Sequence, residues 1–216
     1  MSTHDASINR ADVLKASPRM FENPVLDKLS RVHPSVPVIV FVPIIGVLLG
    51  FGIDRVGVGA AALWAAGGLL FWTLTEYWLH RLVFHFEPDH PLGHRLHFII
   101  HGVHHDHPND RMRLVMPPSV SVPLAALFLL AFHAVLGDGW LAFGGAFLAG
   151  YLAYDMTHYH VHHHKPRTAL GKRLREQHMR HHFQDHERGF GVSSPLWDYV
   201  FGTVPRRRTE RTARAR

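Results

Sequence analysis

The sequence predicts an all-α integral membrane protein with four transmembrane helices and a helical cap on the cytosolic side. Two observations predict this fold class. Apolar residues are gathered into four stretches, separated by short turns or by charged segments. The basic residues and four clusters of histidines lie on one side of those stretches. With 216 residues, the chain is long enough for a single domain.

The four apolar stretches have lengths that suit membrane spans. They run from about Pro37 to Ile53, Gly57 to Leu79, Ser119 to Leu136 and Trp140 to Thr157. A spanning helix needs about 20 apolar residues, within a range of roughly 17–25. The first, third and fourth stretches are short for a span, so buried core helices are the alternative. Tight turns at 52–55 and 137–139 pair the stretches as hairpins and favour the membrane interpretation.

The positions of the charged residues predict the topology. Of 23 Lys and Arg residues, five precede the first stretch, four lie between the second and third, and thirteen follow the fourth. Only Arg55 lies in a hairpin turn. Because Lys and Arg accumulate on the cytoplasmic side of membranes, both termini and the central loop are expected there. No cleaved secretory peptide is expected.

The flanking segments divide the chain into three parts. We expect an N-terminal cytosolic tail at 1–36, a membrane domain at 37–205 and a basic C-terminal tail at 206–216. Prolines and scattered charges in the first segment favour a loosely ordered tail over a short amphipathic helix on the membrane. The Arg-rich end is typical of a disordered tail that contacts anionic lipid. No nucleic-acid partner is expected, since membrane sorting explains the net charge of +6.

Ten histidines stand at spacings that suit metal ligands. They are His80, His85, His101, His104, His105, His158, His162, His178, His181 and His182. Neutral imidazole is the commonest transition-metal ligand among side chains, and a chain without cysteine has no thiolate ligands. Residues three or four apart share one face of a helix. His80 and His85 are five apart, so a helix end or a wider turn must lie between them.

The number of these histidines favours two metal ions. One first-row ion takes about four to six ligands, so ten imidazoles suit two ions with five each. Six-coordinate ions would then each keep one position open for dioxygen or water. Neighbours such as His104 and His105 point about 100° apart on a helix and can serve different ions. The alternative for any single cluster is a surface or core group of histidines. The sequence therefore predicts a dimetal site in the cytosolic cap, and imidazole suits both iron and zinc.

Two acidic residues lie within the apolar stretches, close to these histidines. Glu76 precedes His80 by one helical turn, and Asp155 precedes His158 by three residues. Because metal-bound imidazole donates its second N–H to a carboxylate or carbonyl, we expect both to orient histidines or their neighbours. The alternative is that they extend toward interfacial water. Five further histidines lie off the ligand spacing, namely His94, His97, His160, His163 and His164.

The motifs around these residues resemble a known family. They are EYWLHRLVFHF (76–86), HGVHH (101–105), RLVMPP (113–118), YDMTHYHVH (154–162), HMRHHF (178–183) and GFGVSSPLWDYVFGT (189–203). They resemble the fatty acid hydroxylase/sterol desaturase superfamily of membrane non-haem di-iron enzymes. The histidine motifs identify only the superfamily. The last motif, with RLVMPP and YDMTHY, is most similar to the fatty acid 2-hydroxylase group.

This resemblance implies a function and a set of partners. The ten histidines would bind two iron ions, with zinc possible in purified protein, and no other catalytic side chain is implied. The family hydroxylates C2 of a free fatty acid or a sphingolipid acyl chain with O2 and two electrons. Because residues 1–36 are too short for the haem domain that eukaryotic members often carry, a separate electron-donor protein is expected. The alternatives are a sterol- or carotenoid-modifying relative and a non-enzymatic membrane metal-binding protein or transporter.

Seven further residues are candidates for contact with the lipid. The aromatic candidates for its route are Trp78, Phe84, Trp197, Tyr199 and Phe201, with packing or interface anchoring as the alternative. Arg111 and Arg113 are candidates for the lipid head group, with positive-inside charge as the alternative.

Overall fold

The computed structural model describes residues 9–205 and contains helices but no β-strand in that range. The α-helices are α1 (Arg10–Lys15), α2 (Pro24–Leu29), α3 (Ser35–Leu79), α4 (Pro91–His97), α5 (Val103–Asp106), α6 (Pro118–Val135), α7 (Trp140–His163), α8 (Ala169–Phe183) and α9 (Leu196–Val200). Two π-helical turns, His80–Phe84 and Phe98–Gly102, and a 3₁₀ turn, Gly137–Gly139, lie between them. The all-α prediction is confirmed. The predicted basic tail at 206–216 lies outside the described residues, as do residues 1–8 of the predicted N-terminal tail.

Helix α3 consists of two arms that run in opposite directions. Its 45 residues would extend about 68 Å if straight, more than twice the hydrocarbon core of a bilayer. The helix is interrupted at Gly57, where φ is 78° and ψ is 160°. A positive φ favours glycine because a side chain would clash with the backbone there. The arms at 35–56 and 58–79 are each about 33 Å long, which matches one bilayer crossing.

The turn in α3 lies later than the sequence predicted. The sequence placed it at 52–55, but the helix continues through those residues. Gly52 is needed inside the first arm, because a Cβ there would lie 2.8 Å from the backbone nitrogen of Ala142. Gly57 has open space around it and takes the turn conformation instead.

The second hairpin forms where it was predicted. Gly137, with φ of 54°, ends α6, and α7 begins at Trp140. Arg55 and Asp138 form an ion pair of 2.7 Å between the two hairpins. Both turns therefore lie at the same end of the helical bundle.

The core forms where α7 packs against both arms of α3. Phe41 on the first arm contacts Tyr151, with ring centroids 4.9 Å apart. Trp72 on the second arm contacts Phe147 at 5.2 Å and Tyr151 at 5.5 Å. Gly150 allows this close approach, because a Cβ there would lie 2.6 Å from the Trp72 ring. These contacts fix the ends of α3 and α7 that lead into the histidine clusters.

Two helical stretches in the described chain are long and apolar enough to cross a membrane. They are Ser35–Phe84, which includes both arms of α3, and Pro118–Val135. Large apolar side chains such as Phe51, Leu63 and Leu130 are exposed on their outer faces. Exposed apolar surface of this extent marks contact with lipid or with another protein. Helix α7 is mostly buried by its neighbours.

The N-terminal segment is ordered over its described part, so the expectation of a loosely ordered tail is wrong for 9–36. Helix α2 begins at an Asn23 cap, and its Asp27 accepts a hydrogen bond from Arg113 at 2.9 Å. The Val32 N–H donates to the Met112 carbonyl at 2.6 Å. Charge pairing and backbone hydrogen bonds to residues 107–113 order this segment, and neither is visible in its local composition.

Candidate metal centre

The ten predicted histidines converge at the end of the bundle opposite the hairpin turns. They form two groups of five, and within each group the ligand nitrogens lie within 4.8 Å of one another. The first histidine group comprises His80, His85, His101, His105 and His181. The second histidine group comprises His104, His158, His162, His178 and His182. The structure thus brings together residues from four separate segments of the chain.

A π-helical turn joins the first two members of the first histidine group. The His85 N–H donates to the His80 carbonyl at 3.3 Å, a bond between residues five apart. This wider turn places both rings on one face, as the spacing of His80 and His85 predicted. Their Nε2 atoms lie 3.2 Å apart. A second π-helical turn contains His101, whose Nε2 lies 3.1 Å from that of His105.

Two helices supply most of the second histidine group. His158 and His162 are four apart on α7, and His178 and His182 are four apart on α8. The His162 and His178 Nε2 atoms lie 2.8 Å apart, which brings the two helices together. His104 completes the group at 2.9 Å from the Nε2 of His158.

Adjacent histidines divide between the groups, as the sequence analysis expected for His104 and His105. His105 belongs to the first group and His104 to the second. The same division occurs on α8, where His181 joins the first group and His182 the second. Helix α8 and the turn at 101–105 therefore each contribute to both groups.

The distances between the nitrogens fit metal ligation. Metal–imidazole bonds of about 2.1 Å place neighbouring nitrogens about 3.0 Å apart at right angles, and about 3.4 Å apart in a tetrahedron. Paired Nε2 atoms in the two groups lie 2.8–3.2 Å apart. Distances of this size are compatible with imidazoles that bind a common ion.

The histidines are held in the form that binds metal. Burial, reinforced by neighbouring imidazoles, lowers the pKa of His85 to about 3. Burial also lowers the pKa of His181 to about 4. A neutral imidazole keeps one lone pair free for a metal ion. At neutral pH these rings are therefore neutral and able to bind a metal ion.

Backbone carbonyls of one loop orient two rings of the first group. The Nδ1 of His80 pairs with the Phe190 carbonyl at 2.7 Å, and the Nδ1 of His181 pairs with the Arg188 carbonyl at 2.8 Å. A carbonyl only accepts, so each Nδ1 carries the proton and each Nε2 presents its lone pair to the group. In the second group, the Nδ1 atoms of His178 and His182 are buried without a hydrogen-bond partner in the described structure.

Glu76 hydrogen bonds to this loop and not to a histidine. Its carboxylate accepts hydrogen bonds from the Val192 N–H at 2.6 Å, the Ser193 N–H at 2.8 Å and the Ser193 hydroxyl. Asp198 accepts from the Phe190 N–H at 3.0 Å on the other side of the loop. If Glu76 orients His80, as expected, it does so indirectly, by positioning the backbone of 190–193, whose Phe190 carbonyl bonds to His80. The sequence suggested no role for Asp198 or for these carbonyls.

Asp155 also makes its hydrogen bonds away from the histidines. It accepts from the Tyr151 hydroxyl at 3.2 Å and from the Met116 N–H at 3.4 Å. The bond to Met116 joins α7 to the segment before α6, whereas the bond to Tyr151 lies within α7. Of the two carboxylates expected to orient histidines, neither hydrogen bonds to one within residues 9–205.

The other histidines near the motifs lie outside both groups. His94 pairs with Glu87 at 2.9 Å. The rings of His160 and His164 stack on each other at 5.2 Å and face outward. His163 packs against Tyr159, so the choice of His162 over His163 agrees with the geometry.

An apolar cavity of about 480 Å³ reaches both histidine groups. Its wall includes His101 of the first group and His104 and His158 of the second. A much smaller pocket, with a volume of about 30 Å³, adjoins it and shares Phe84 and Tyr154 as lining residues. The cavity therefore offers an apolar ligand a site beside both groups.

Only one of the five aromatic candidates for the lipid route lines this cavity. Phe84 does so, but Trp78 and Trp197 pack against Phe201 on another face, and Tyr199 contacts Arg173. These four residues therefore match the alternative of packing or interface anchoring, and Tyr199 and Phe201 are exposed. Their spacing in the sequence contains no information about which face of the cap they cover.

Over residues 9–205, the fold and the site define an all-helical protein with two imidazole clusters that could hold metal ions beside an apolar cavity. The family model described as "Fatty acid hydroxylase" matches residues 65–203, a range that includes all ten histidines. The chain belongs to the fatty acid hydroxylase family.

Characterised relatives agree with this assignment. The chain is 38% identical over 209 residues to dihydroceramide fatty acyl 2-hydroxylase of Arabidopsis thaliana, covering 92% of this chain and 84% of that protein. It is 37% identical over 194 residues to the ceramide very long chain fatty acid hydroxylase of Saccharomyces cerevisiae, covering 88% and 50%. It is 41% identical over 143 residues to mouse fatty acid 2-hydroxylase, covering 63% and 38%. The chain thus spans half or less of the length of the last two.

A solved structure shares the fold. It is described as full-length scs7p with only the hydroxylase domain visible. The match has a TM-score of 0.77 and 36% sequence identity, and covers 83% of this chain and 69% of that one.

Proposed function

We propose that this protein is a membrane di-iron monooxygenase that hydroxylates C2 of a fatty acid or a sphingolipid acyl chain, using O2 and two electrons. One observation carries this proposal, namely that both histidine groups meet at the wall of one apolar cavity. The family supports a hydroxylation, and the names of the relatives support the C2 position and acyl substrates.

The ten histidines are the proposed ligands, five for each ion. Iron, when bound, supplies the dioxygen activation and electron transfer that cleavage of an unactivated C–H bond needs and that side chains lack. The same imidazoles suit zinc, so metal identity is a separate question for experiment. The carbonyls of Arg188 and Phe190 hold two imidazoles in the required tautomer, and Glu76 holds the loop that carries those carbonyls.

The protein positions its substrate and excludes water. The larger cavity has room for an acyl chain next to His101 and His158. Apolar walls keep bulk water from the reacting carbon. Regioselectivity then depends on where the head of the lipid is fixed.

The proposed topology has four membrane spans, with both termini and the metal site on the cytoplasmic side. The two arms of α3, α6 and α7 are the spans, and residues 37–205 form the membrane domain. The location of both hairpin turns at the end opposite the histidines supports this arrangement. The scarcity of basic residues in those turns, which contain Arg55 and no other Lys or Arg, also supports it. A separate electron-donor protein is the proposed source of electrons.

Expression in a host without 2-hydroxylated lipids tests the proposal. Wild-type protein with a matching reductase is expected to yield 2-hydroxy acyl products that incorporate ¹⁸O from ¹⁸O2, as detected by mass spectrometry. Purified protein is expected to contain two metal ions by elemental analysis. Unaltered host lipids from a protein that holds two irons would contradict the proposal. A hydroxylated sterol or carotenoid would assign a different substrate.

A further inference from the structure

A groove of about 1220 Å³ lies between the C-terminal part of α7 and the start of α8. Three permanently charged side chains line it, and all three are cations, namely Lys165, Arg167 and Lys172. No acidic residue of the described chain lines the groove. The exposed histidines His160 and His164 form part of its wall. The groove is therefore a strongly cationic surface.

The cations of the groove have no anionic partner. All three are exposed, and their side chains form no ion pair or hydrogen bond within residues 9–205. The stretch 156–175 contains five Lys or Arg residues and no Asp or Glu. The first acid after it, Glu176, pairs with Arg180. Arg113, in the wall of the 480 Å³ cavity, pairs with Asp27 by contrast. The positive charge of the groove is therefore available to an anionic ligand from outside the chain.

Contacts within the chain fix the walls of the groove. The Arg175 guanidinium donates to the Val161 carbonyl and, at 3.0 Å, to the His164 carbonyl, so it joins α8 to the last turns of α7. The Thr168 side chain caps α8 by accepting from the Gly171 N–H at 3.1 Å, and both residues line the groove. The positive end of the α8 dipole therefore also faces the groove and adds to its attraction for an anion.

The groove extends to the depth at which α7 leaves the membrane in the proposed topology. Helix α7 begins at Trp140, and a hydrocarbon core of about 30 Å takes about 20 residues of helix. The helix then reaches the cytosolic surface near residue 160, and the groove begins one helical turn deeper, at Met156. Leu170, which is 64% exposed, lines the facing wall. The groove thus combines apolar walls with cations just outside the hydrocarbon.

This combination favours a phospholipid over a water-soluble partner. Cations near the cytosolic surface of a membrane attract the phosphate of an anionic lipid. The apolar walls below them match the start of its acyl chains. A soluble acidic protein can approach the cations but has no access to Met156 and Thr157, which lie at hydrocarbon depth.

We propose that the groove between α7 and α8 is a binding site for an anionic phospholipid of the cytosolic leaflet, whose phosphate pairs with Lys165, Arg167 and Lys172. This lipid is not the substrate, because the groove and the 480 Å³ cavity share no lining residue. The site joins the two helices that carry four of the five ligands of the second histidine group. The inference rests on the proposed topology, which places the groove at the membrane surface.

Competition between two lipids tests this inference without turnover. Purified holoprotein in a non-ionic detergent is mixed with equal amounts of phosphatidylglycerol and phosphatidylcholine that carry the same acyl chains. Native mass spectrometry then measures which lipid remains bound. Wild type is expected to retain phosphatidylglycerol over phosphatidylcholine by at least about fivefold, because each cation near the surface adds to the attraction.

Three variants separate the groove from the general positive charge of the protein. The groove variant Lys165→Gln/Arg167→Gln/Lys172→Gln is expected to bind the two lipids within about twofold of each other. A matched control removes the same number of charges from exposed cations that do not line the groove, as Lys15→Gln/Arg95→Gln/Arg111→Gln. The third variant exchanges Lys for Arg and Arg for Lys at the three groove positions. The control and the exchange variant are both expected to keep the wild-type preference.

The outcomes decide between the possible occupants. Equal retention of both lipids by wild type would overturn the proposal, as would a preference that survives in the groove variant or disappears in the control. If wild type shows no lipid preference but binds soluble polyglutamate through the same three cations, the groove is a surface for an acidic protein.

The lipid site and the proposed function can fail separately. Lipid retention does not depend on hydroxylation, so an inactive protein with the expected preference would keep the site and contradict the function. Because the chain has no cysteine, Asp138→Cys reports the topology independently. Its thiol is expected to react with a membrane-impermeant reagent added outside intact cells.

Discussion

The two histidine groups hold equal numbers of imidazoles by different means. In the first group, a loop orients His80 and His181 through the carbonyls of Phe190 and Arg188. In the second group, four of the five rings project from α7 and α8 as pairs four residues apart, and the Nδ1 atoms of His178 and His182 have no described partner.

The two groups therefore differ in what orients their imidazoles: regular helices in the second group and loop carbonyls in the first. Helical pairs take their geometry from the spacing of residues along a regular helix, which the local sequence specifies. The loop acts on the first group through backbone atoms, and Glu76 and Asp198 hold that loop in place from outside it. We therefore expect the first group to depend on residues distant from it, and the second group on helix packing.

The largest expected effect is the loss of one ligand from either group. His101→Ala should remove the ion of the first group and His158→Ala that of the second, because each group has its own ligands. Elemental analysis is expected to show about one metal ion per chain in either variant instead of two. Activity should fall by more than roughly 100-fold, because even the loss of a hydrogen bond to a metal ligand usually costs about 10- to 100-fold.

Membrane insertion and helix content should remain unchanged in both variants. Loss of both ions from a single substitution would show that the two groups are not separate sites.

The next effect concerns the carboxylate behind the loop. Glu76→Gln removes the negative charge that accepts the Val192 and Ser193 N–H groups and leaves an amide of similar size. We expect a tenfold to 100-fold loss, by order of magnitude, of metal affinity in the first group alone. Metal retention during graded dialysis against a chelator measures this loss.

Asp155→Asn is the matched control for Glu76→Gln on the second group's helix. Asp155 bonds to Tyr151 and Met116 but to no histidine, so both ions should be retained. Equal metal loss in the two variants would contradict the role assigned to the loop.

A glycine pair tests the loop backbone. Gly189 has φ of 81°, and a Cβ there would lie 2.5 Å from the Pro205 ring. Gly202 has φ of 67° but open space around it. Gly189→Ala should displace the loop and weaken metal binding to the first group roughly tenfold, whereas Gly202→Ala should cost only about 1 kcal/mol of backbone strain.

Thermal unfolding and metal content of both glycine variants measure these effects. A Gly189→Ala protein with wild-type metal affinity would show that the loop carbonyls are not needed for ligation.

The smallest effect is expected at the far end of the bundle. Arg55 and Asp138 are both more than half exposed, so Arg55→Ala should lower the free energy of unfolding by no more than about 1 kcal/mol. Metal content and activity should not change. A loss of either ion would mean that the hairpin end and the histidine end are coupled through the helices.

Features with local causes were predictable from the sequence, and features with distant causes were not. The wider turn between His80 and His85 and the division of His104 from His105 follow from helical geometry. The carbonyl that bonds to His80 belongs to Phe190, which is 110 residues away, and the one that bonds to His181 belongs to Arg188. Both are backbone atoms, so the identity of the residue that carries them does not reveal the bond. The helix breaks at Gly57 and not at 52–55 because Gly52 is packed against α7. The N-terminal segment is ordered because Asp27 pairs with Arg113. Neither contact can be read from the local sequence.

The π-helical turn at His80–Phe84 also restricts the length of the chain. Such a turn holds one more residue than the regular turn it replaces. If the chain formed a regular helix here with the same number of residues, His80 and His85 would point about 140° apart, and only one of them could face the first histidine group. The wide turn therefore links the number of residues between the two imidazoles to their common direction. An insertion or deletion in this stretch is compatible with two ligands only if the width of the turn changes with it.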